Sequence, residues 1–208
     1  METKEEEVRY FLVLVQNQKN NVVCPLIFCY TGVVNIFVTN PDPIIAAQEL
    51  CDQHCRSKMQ IESAIMLQHC FDNKILENAP KTKAGRARKA GKGYANHPCS
   101  IWVRESKANF EWLVAHALEM FNERDFRWPN SAAHFTKTFI EWCRDNINKV
   151  VHCKGTALTP FAVAINPESK CKQIKDFDKL SVIEKYHAYI RCDKDFATWT
   201  KRPKPAWY

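Results

Sequence analysis

The segment "CDQHCRSKMQIES", residues 51–63, carries the residue types best suited to acid–base chemistry in this sequence. At helical spacing, Cys51, Cys55, Met59, Glu62 and Met66 share one face, and that face is otherwise apolar. A carboxylate on such a face is at least partly desolvated, which raises its pKa and suits it to proton transfer. We therefore interpret Glu62 as the best single catalytic candidate in the chain.

His54 and Lys58 precede Glu62 at successive four-residue steps, so the three side chains form a ladder on one helix. This spacing makes His54 and Lys58 further catalytic candidates. The alternative interpretation is structural, in which Lys58 and Glu62 form an ordinary surface ion pair.

Soft metal ligands occur three or four residues apart in the same region, at Cys51, His54, Cys55, His69 and Cys70. Zinc sites usually draw on two separated ligand pairs held by a turn, whereas these residues lie in a continuous helical pattern without a glycine turn. We predict no metal site and no cofactor.

Motifs of other enzyme classes are missing from the sequence, which has no G-x-S-x-G, no P-loop and no GxGxxG. Cys99 follows His97 and Pro98 and is a candidate nucleophile. The case for Cys99 is weaker than the case for Glu62 as an acid–base residue. His97 remains a candidate catalytic residue.

The segment "KTKAGRARKAGK", residues 81–92, carries six basic residues and no acidic one. Such a run is either a solvated, mobile loop or a loop that closes on the phosphates of a nucleic acid. Under the second interpretation Arg86, Arg88, Lys89 and Lys92 are candidate phosphate ligands.

Aromatic and polar side chains follow this run directly in "GKGYANHPCSIWVRES", residues 91–106. Tyr94 and Trp102 offer faces on which bases could stack, Asn96 could bond to base edges, and Arg104 could bind a phosphate. The remaining candidate nucleic-acid ligands are Asn109, Lys201 and Arg202. The alternative for each tryptophan is a place in the core.

The overall charge of +7 also favours an acidic partner such as nucleic acid. No apolar run approaches the roughly 18 residues needed to span a bilayer, and the acidic start "METKEEE" does not resemble a secretory signal. We expect an intracellular protein that is not secreted, located in the cytoplasm or nucleus of a host if it is viral. We expect no membrane partner, and the oligomeric state stays open.

The pattern of elements predicts a mainly α protein with a small N-terminal β part, built as a compact single-domain helical bundle. Residues 1–33 are interpreted as a partly β extension, and residues 34–208 as the helical domain with a basic loop at about 80–93. Up to three strands are predicted, at residues 8–16, 22–30 and 33–40, from β-branched and aromatic runs.

Helices are predicted from Pro43 towards Pro80, as one long helix or two with a bend, then at about 106–124, 131–148 and from the capping box Ser181–Glu184 to about Trp199. Phe135, Phe139, Ile140 and Cys143 should face inward. Residues 150–177 should be irregular.

The motif "GYANHP", residues 93–98, resembles the G-Y-x-[NH]-H-P segment of bacterial pyrimidine-dimer DNA glycosylases, the family of the small phage-type UV endonucleases. "VNIFVTN" followed by "ELCDQH" resembles the opening of the phage enzyme, with Glu62 near the place of the family's catalytic glutamate. The stretch from Asn35 to Tyr208 is also similar to a group of phage proteins of no assigned function, through an "NHPC" block, an "LTPF" segment and an aromatic–basic tail.

The glycosylase resemblance implies base excision through an imine, in which an amine attacks the sugar carbon and a glutamate assists. Glu62 would take the glutamate's role, with His54, Asn96 and His97 ordering the pocket. In that family the amine is the N-terminal amino group, ahead of the first hydrophobic run. Here residues 1–33 precede that run, so either this extension is removed, or Lys58 supplies the amine, or the protein does not cleave by that route.

The leading hypothesis is a DNA-binding, base-processing enzyme, similar to a DNA glycosylase and lyase, that acts on a damaged or modified base in duplex DNA. The alternatives are a nucleic-acid-binding or virion-associated protein without turnover, and an enzyme that modifies nucleotides. These alternatives stay open at the level of the sequence.

Overall fold

A computed structural model describes residues 34–208, and this part of the chain forms seven α-helices and no β-strand. The helices are α1 (Pro43–Glu49), α2 (Met59–Gln68), α3 (Asn73–Leu76), α4 (Pro98–Glu105), α5 (Lys107–Arg127), α6 (Lys137–Asp145) and α7 (Val182–Asp193). A π-helical turn, His54–Lys58, leads directly into α2. The predicted mainly α fold class is confirmed.

The central element is α5, whose 21 residues extend for about 32 Å. It packs against α1, α2, α4 and α6. Its buried apolar side chains include Phe110, Leu113, Ala117 and Phe121. The helix begins where the Ser106 hydroxyl accepts a hydrogen bond from the Asn109 N–H, at 3.0 Å.

The strand predicted at residues 33–40 is absent over its described part, from Val34 onward, which is an unpaired extended segment. Val34, Ile36, Phe37 and Val38 are all buried in the helical core. Side chains on both faces of the segment are therefore packed by helices, and no neighbouring strand among residues 34–208 pairs with it. The strands predicted at residues 8–16 and 22–30 lie outside the described residues.

The helical pattern predicted from Pro43 to about residue 79 is divided into α1, the π-helical turn, α2 and α3. The first break is at Leu50, whose backbone is extended with ψ 141°. The Arg127 guanidinium donates to the carbonyls of Gln48, at 2.9 Å, and Leu50, at 2.8 Å. Arg127, which is distant in sequence, thus provides hydrogen bonds to carbonyls that the end of α1 leaves without a helical partner, so the helix can end there.

Helix α6 is shorter than predicted and begins at Lys137, because residues 131–134 are irregular and residues 135–136 form a turn. Phe139, Ile140 and Cys143 are buried as expected, but Phe135 is 38% exposed, so its predicted inward orientation is wrong. The capping box of α7 is present, with Ser181 and Glu184 each bonded to the other's backbone N–H. That helix ends at Asp193, earlier than predicted.

Residues Val34–Tyr208 form one compact unit. Their apolar core extends from the extended segment through α2, α4 and α5 to Tyr186 of α7. None of the helices within residues 34–208 combines the length and the apolar character that a membrane crossing requires.

Candidate nucleic-acid interface

An open groove of about 690 Å³ lies between α2 and the basic loop that precedes α4. We call it the basic groove. Its floor is formed by side chains of α2, and its walls come from the loop at residues 82–94 and from the turn before α6. The floor residues are Ile61, Ala64, Ile65 and Gln68, and the turn contributes Phe135 and Thr136.

Four exposed cations line the basic groove, at Lys83, Arg86, Lys89 and Lys92. No acidic side chain among residues 34–208 lines it. Since nothing in the lining neutralises these charges, the groove presents a positive potential to any anion that enters it. Three of these four residues, all but Lys83, were predicted as phosphate ligands.

The fifth basic residue of the lining, Arg88, has a different role. It is 7% exposed, its Nε donates to the Pro80 carbonyl at 3.0 Å, and its guanidinium lies 3.7 Å from the centre of the Phe139 ring. Burial lowers its pKa. Arg88 therefore anchors the loop to the core, which corrects its prediction as a phosphate ligand.

The basic loop is held at several points by hydrogen bonds to the helical body. The Ala90 N–H donates to the Asn73 side chain at 2.8 Å, and the Gly91 N–H donates to His69 Nδ1 at 3.2 Å. Gly93 has φ 64° and ψ −127°, a conformation that residues with a side chain rarely adopt. This glycine is what allows the chain to turn from the loop into the segment Tyr94–Asn96.

The residues after the loop divide into those near the groove and those in the core. Tyr94 lines the groove and is half-buried, whereas Asn96 is exposed outside the lining. Arg104 is also partly exposed, and its Nη2 donates to the Ala95 carbonyl at 2.6 Å. Arg104 thus supports the segment that carries Tyr94, while Asn96 stays a predicted ligand without a contact to the groove.

Trp102 and Asn109 lie in the core, so their predicted contact with nucleic acid is wrong. Trp102 is 2% exposed, and its ring packs against Trp112 and Phe161. Asn109 is fully buried and its amide donates to the Trp102 carbonyl and to Thr159 Oγ1, both at 2.7 Å. Neither side chain offers a surface to a ligand.

His97 is the N-cap of α4, where its Nδ1 accepts a hydrogen bond from the Cys99 N–H at 3.3 Å. Partial burial lowers its pKa, which favours the neutral ring that this bond requires. Cys99 is buried, and burial raises the pKa of its thiol to about 12, so it is no activated nucleophile.

Glu62 is 6% exposed and its Oε2 accepts a hydrogen bond from the Asn35 N–H at 2.9 Å. Burial raises its pKa, while Lys58 and the Asn35 N–H oppose that rise. The Lys58 ammonium lies 3.5 Å from Glu62 Oε1, and the Lys58 side chain is 51% exposed. The predicted desolvation is therefore confirmed, and the ion pair of the alternative interpretation is present as well.

Glu62 does not line the basic groove, although its neighbours Ile61 and Ala64 do. Its surroundings are instead the buried polar group around Asn35, whose Oδ1 accepts from the Tyr186 hydroxyl at 3.0 Å. The predicted catalytic glutamate therefore lies outside the basic groove, whereas predicted phosphate ligands line it.

His54 is buried in the π-helical turn, with its ring stacked on Phe37 at 4.2 Å. Its Nδ1 lies 3.5 Å from Cys51 Sγ. Burial and the nearby charges of Lys194 and Lys58 lower its pKa to about 3, so the ring is neutral. No hydrogen bond joins His54 to Glu62 among the described residues, and a catalytic role for His54 stays a prediction.

The C-terminal tail residues Lys201 and Arg202 are not part of the groove lining. Arg202 forms an ion pair with the buried carboxylate of Glu123. Lys201 is exposed, and its ammonium donates to the Phe126 carbonyl at 2.9 Å. Arg202 therefore stabilises the fold, and the contacts of Lys201 and Arg202 with nucleic acid stay predictions.

Residues 34–208 contain no cluster of three or more histidine, cysteine, aspartate or glutamate side chains that could hold a metal ion. Lys83 and Phe135 line the groove although neither was predicted as a nucleic-acid ligand. Lys83 belongs to the basic run itself, so its charge was a usable signal. Phe135 gave no such signal, because its spacing matched the inward face of a helix.

Comparison with known proteins gives no match: no family model, no curated sequence and no solved structure is significantly similar to this chain. The resemblance to pyrimidine-dimer DNA glycosylases therefore stays a prediction.

Proposed function

We propose that this protein binds nucleic acid in the basic groove. The observation that carries the proposal is the group of exposed cations at Lys83, Arg86, Lys89 and Lys92 beside a largely apolar floor, with no acidic residue of the described chain, residues 34–208, in the lining. Such a group of cations attracts phosphates, and planar bases can pack on an apolar floor with aromatic edges.

The test is a binding measurement with a fluorescently labelled oligonucleotide and the double variant Lys89→Glu/Lys92→Glu. We expect the affinity to fall at least tenfold, because two attractive contacts become repulsive. Lys175→Glu is the matched control, since Lys175 is exposed and does not line the groove. Equal affinities of the double variant and the control would refute the proposal.

A second candidate function, base processing in duplex DNA, is favoured by the Lys58–Glu62 pair. An exposed primary amine lies 3.5 Å from a carboxylate whose pKa is raised by burial. Such a carboxylate can accept the proton that the amine loses when it reacts. The amine would form a bond to the sugar carbon C1′ as the base leaves with the electrons of the glycosidic bond, which gives a glycosylamine. The C1′–O4′ bond then breaks with its electrons going to O4′, which takes the proton from Glu62, while the nitrogen lone pair forms the C1′=N bond of the iminium ion.

Borohydride reduction tests this candidate, because it converts the imine into a stable protein–DNA adduct. The substrate is duplex DNA with a pyrimidine dimer or an abasic site, and the variants are Lys58→Gln and Glu62→Gln. An adduct formed by the wild type and lost in Lys58→Gln supports base processing, with Lys185→Gln as control. An adduct that survives in Lys58→Gln excludes Lys58 as the amine, and no adduct in the wild type excludes imine chemistry altogether.

A further inference from the structure

The surface next to the basic groove, beyond Phe135, also carries exposed and basic residues. The Phe135 ring is 38% exposed and the Lys83 ammonium lies 5.7 Å from its centre. The ring also stacks on His134, with 4.9 Å between the ring centroids. Phe135 therefore belongs both to the groove and to the surface next to it.

The adjoining surface is formed by the π-helical turn and the end of α5. His134 lies against the backbone of Ser57, whose neighbour Arg56 is exposed. The Arg56 guanidinium lies 5.0 Å from the centre of the Trp128 ring. Arg124 fixes this turn, since its Nε donates to the Arg56 carbonyl at 3.0 Å.

We propose that the basic groove and the Arg56–Trp128 pair form one continuous binding track for single-stranded nucleic acid. The proposal rests on the proposed function and specifies its ligand. Along the track, cations alternate with aromatic rings, from Lys83 and Phe135 to Arg56 and Trp128. Unpaired bases can stack on such rings while their phosphates contact the cations.

A duplex fits the same surface less well. Its bases are already stacked on one another inside the helix, so the Phe135 ring and the apolar floor at Ile61 and Ile65 would stay unused. Only the cations would contribute, through the phosphates. The exposed aromatic ring in the middle of the track is therefore the feature that favours a single strand.

Asp125 is an acidic residue beside Arg124, near the track, and its charge is already opposed. Asp125 lies 3.6 Å from the Arg124 guanidinium and 3.9 Å from the Lys137 ammonium. The surface around Trp128 thus keeps a positive balance, which suits the phosphates of a strand that leaves the groove.

Phe135→Ala and Arg56→Ala test the track, because both side chains are exposed and their loss should leave the fold intact. Affinities are measured for a single-stranded oligonucleotide and for the duplex of the same sequence. We expect Phe135→Ala to weaken single-strand binding about tenfold and Arg56→Ala to weaken it by a few-fold. The control is Phe196→Ala, since Phe196 is a similarly exposed phenylalanine, at 47%, outside the groove lining.

Tighter binding of the single strand by the wild type, with these losses, supports the track. Tighter binding of the duplex would overturn it, as would full single-strand affinity in both Phe135→Ala and Arg56→Ala. If either result occurred while Lys89→Glu/Lys92→Glu still weakened binding, the basic groove would stand and only the track would be wrong. If that double variant bound normally, the basic groove itself and the track with it would be refuted.

Discussion

Glu62 is stabilised in its buried position by partners that suit a charged carboxylate, yet its burial favours the protonated form. The Asn35 N–H and the Lys58 ammonium contact its two oxygens. Desolvation nevertheless has the largest influence and raises its pKa. The charged carboxylate therefore lowers the free energy of unfolding, and this effect can be measured.

The stability of the protein should depend on this carboxylate between its unfolded pKa, about 4.3, and its higher pKa in the fold. In that window the folded state binds more protons than the unfolded state, so the free energy of unfolding falls as pH rises. Glu62→Gln keeps an acceptor for Asn35 and removes the charge. We expect urea unfolding of Glu62→Gln to lose this decline. Glu111→Gln, at an exposed position of α5, should retain it.

His116 is a second residue whose position has a measurable consequence. It is 1% exposed, neither ring nitrogen has a hydrogen-bond partner within residues 34–208, and the ring stacks on Trp112 at 4.9 Å. Burial lowers its pKa to about 3. The ring of the unfolded chain titrates near 6.5. Between that pH and about 3 only the unfolded state binds this proton, so the free energy of unfolding is highest above pH 6.5 and falls as pH falls towards 3.

His116→Phe should therefore raise the free energy of unfolding at pH 7 by about 1 kcal/mol, because an unpaired buried polar group is removed. The gain should be larger at pH 5, where protonation of the unfolded wild type costs additional stability. Urea unfolding at both pH values measures this. His152→Phe, at an exposed site, should show neither change, and a destabilised His116→Phe would show that the ring makes a bond that stabilises the fold.

Single residues also show how far the sequence could predict the site. The apolar face around Glu62 was evident from the spacing of Cys55, Met59 and Met66, and all three are buried. Trp102 and Asn109 looked equally suited to nucleic acid but lie in the core. Nothing local distinguishes a tryptophan that packs on Phe161 from one that stacks on a base, because the partner is distant in sequence.

At the scale of elements, the end of α1 depends on a buried group of ions. The Arg127 guanidinium contacts Asp52 at 3.1 Å and Glu123 at 2.9 Å, while Arg202 contacts the other side of Glu123. Asp52 also accepts hydrogen bonds from Thr198 and Thr200. The cluster therefore joins α1, α5 and the C-terminal tail.

Glu123→Gln should destabilise the protein by about 3 kcal/mol, because two arginines lose their shared negative partner and Arg127 stays buried. Thermal unfolding measures the loss. The tail should also become more accessible to proteases, since Arg202 loses its anchor. Glu111→Gln on the same helix should change stability by less than about 0.5 kcal/mol, and an equally small effect of Glu123→Gln would contradict the role of the cluster.

The elements differ in how well the sequence predicts them, and the reason is the range of the forces that define them. Helix α5 and the capping box of α7 depend on local spacing, so both were predicted close to their observed starts. The break at Leu50 depends on Arg127, and the extended segment from Val34 depends on the helices around it. Such long-range contacts leave no periodic signal in the sequence.

At the scale of the whole molecule, the fold brings the basic run of residues 81–92 against α2 and the turn before α6. The sequence predicted the charge of this loop but not the floor and the opposite wall, because Ile61 and Ile65 of the floor and Phe135 of the wall come from two distant segments. The two aromatic–basic regions, residues 91–106 and the C-terminal tail, do not form one site, since the tail lies outside the groove lining while Tyr94 lies within it. The central claim is thus that one groove receives the nucleic acid.

The most direct test of this claim is the salt dependence of single-strand binding. With four exposed cations in the groove, we expect the logarithm of the affinity to fall with the logarithm of the salt concentration at a slope of about −3. Lys89→Ser/Lys92→Ser should reduce this slope to about half, and Lys175→Ser should leave it unchanged. A steep slope that persists in Lys89→Ser/Lys92→Ser would contradict the account, because the phosphates would then bind elsewhere on the protein.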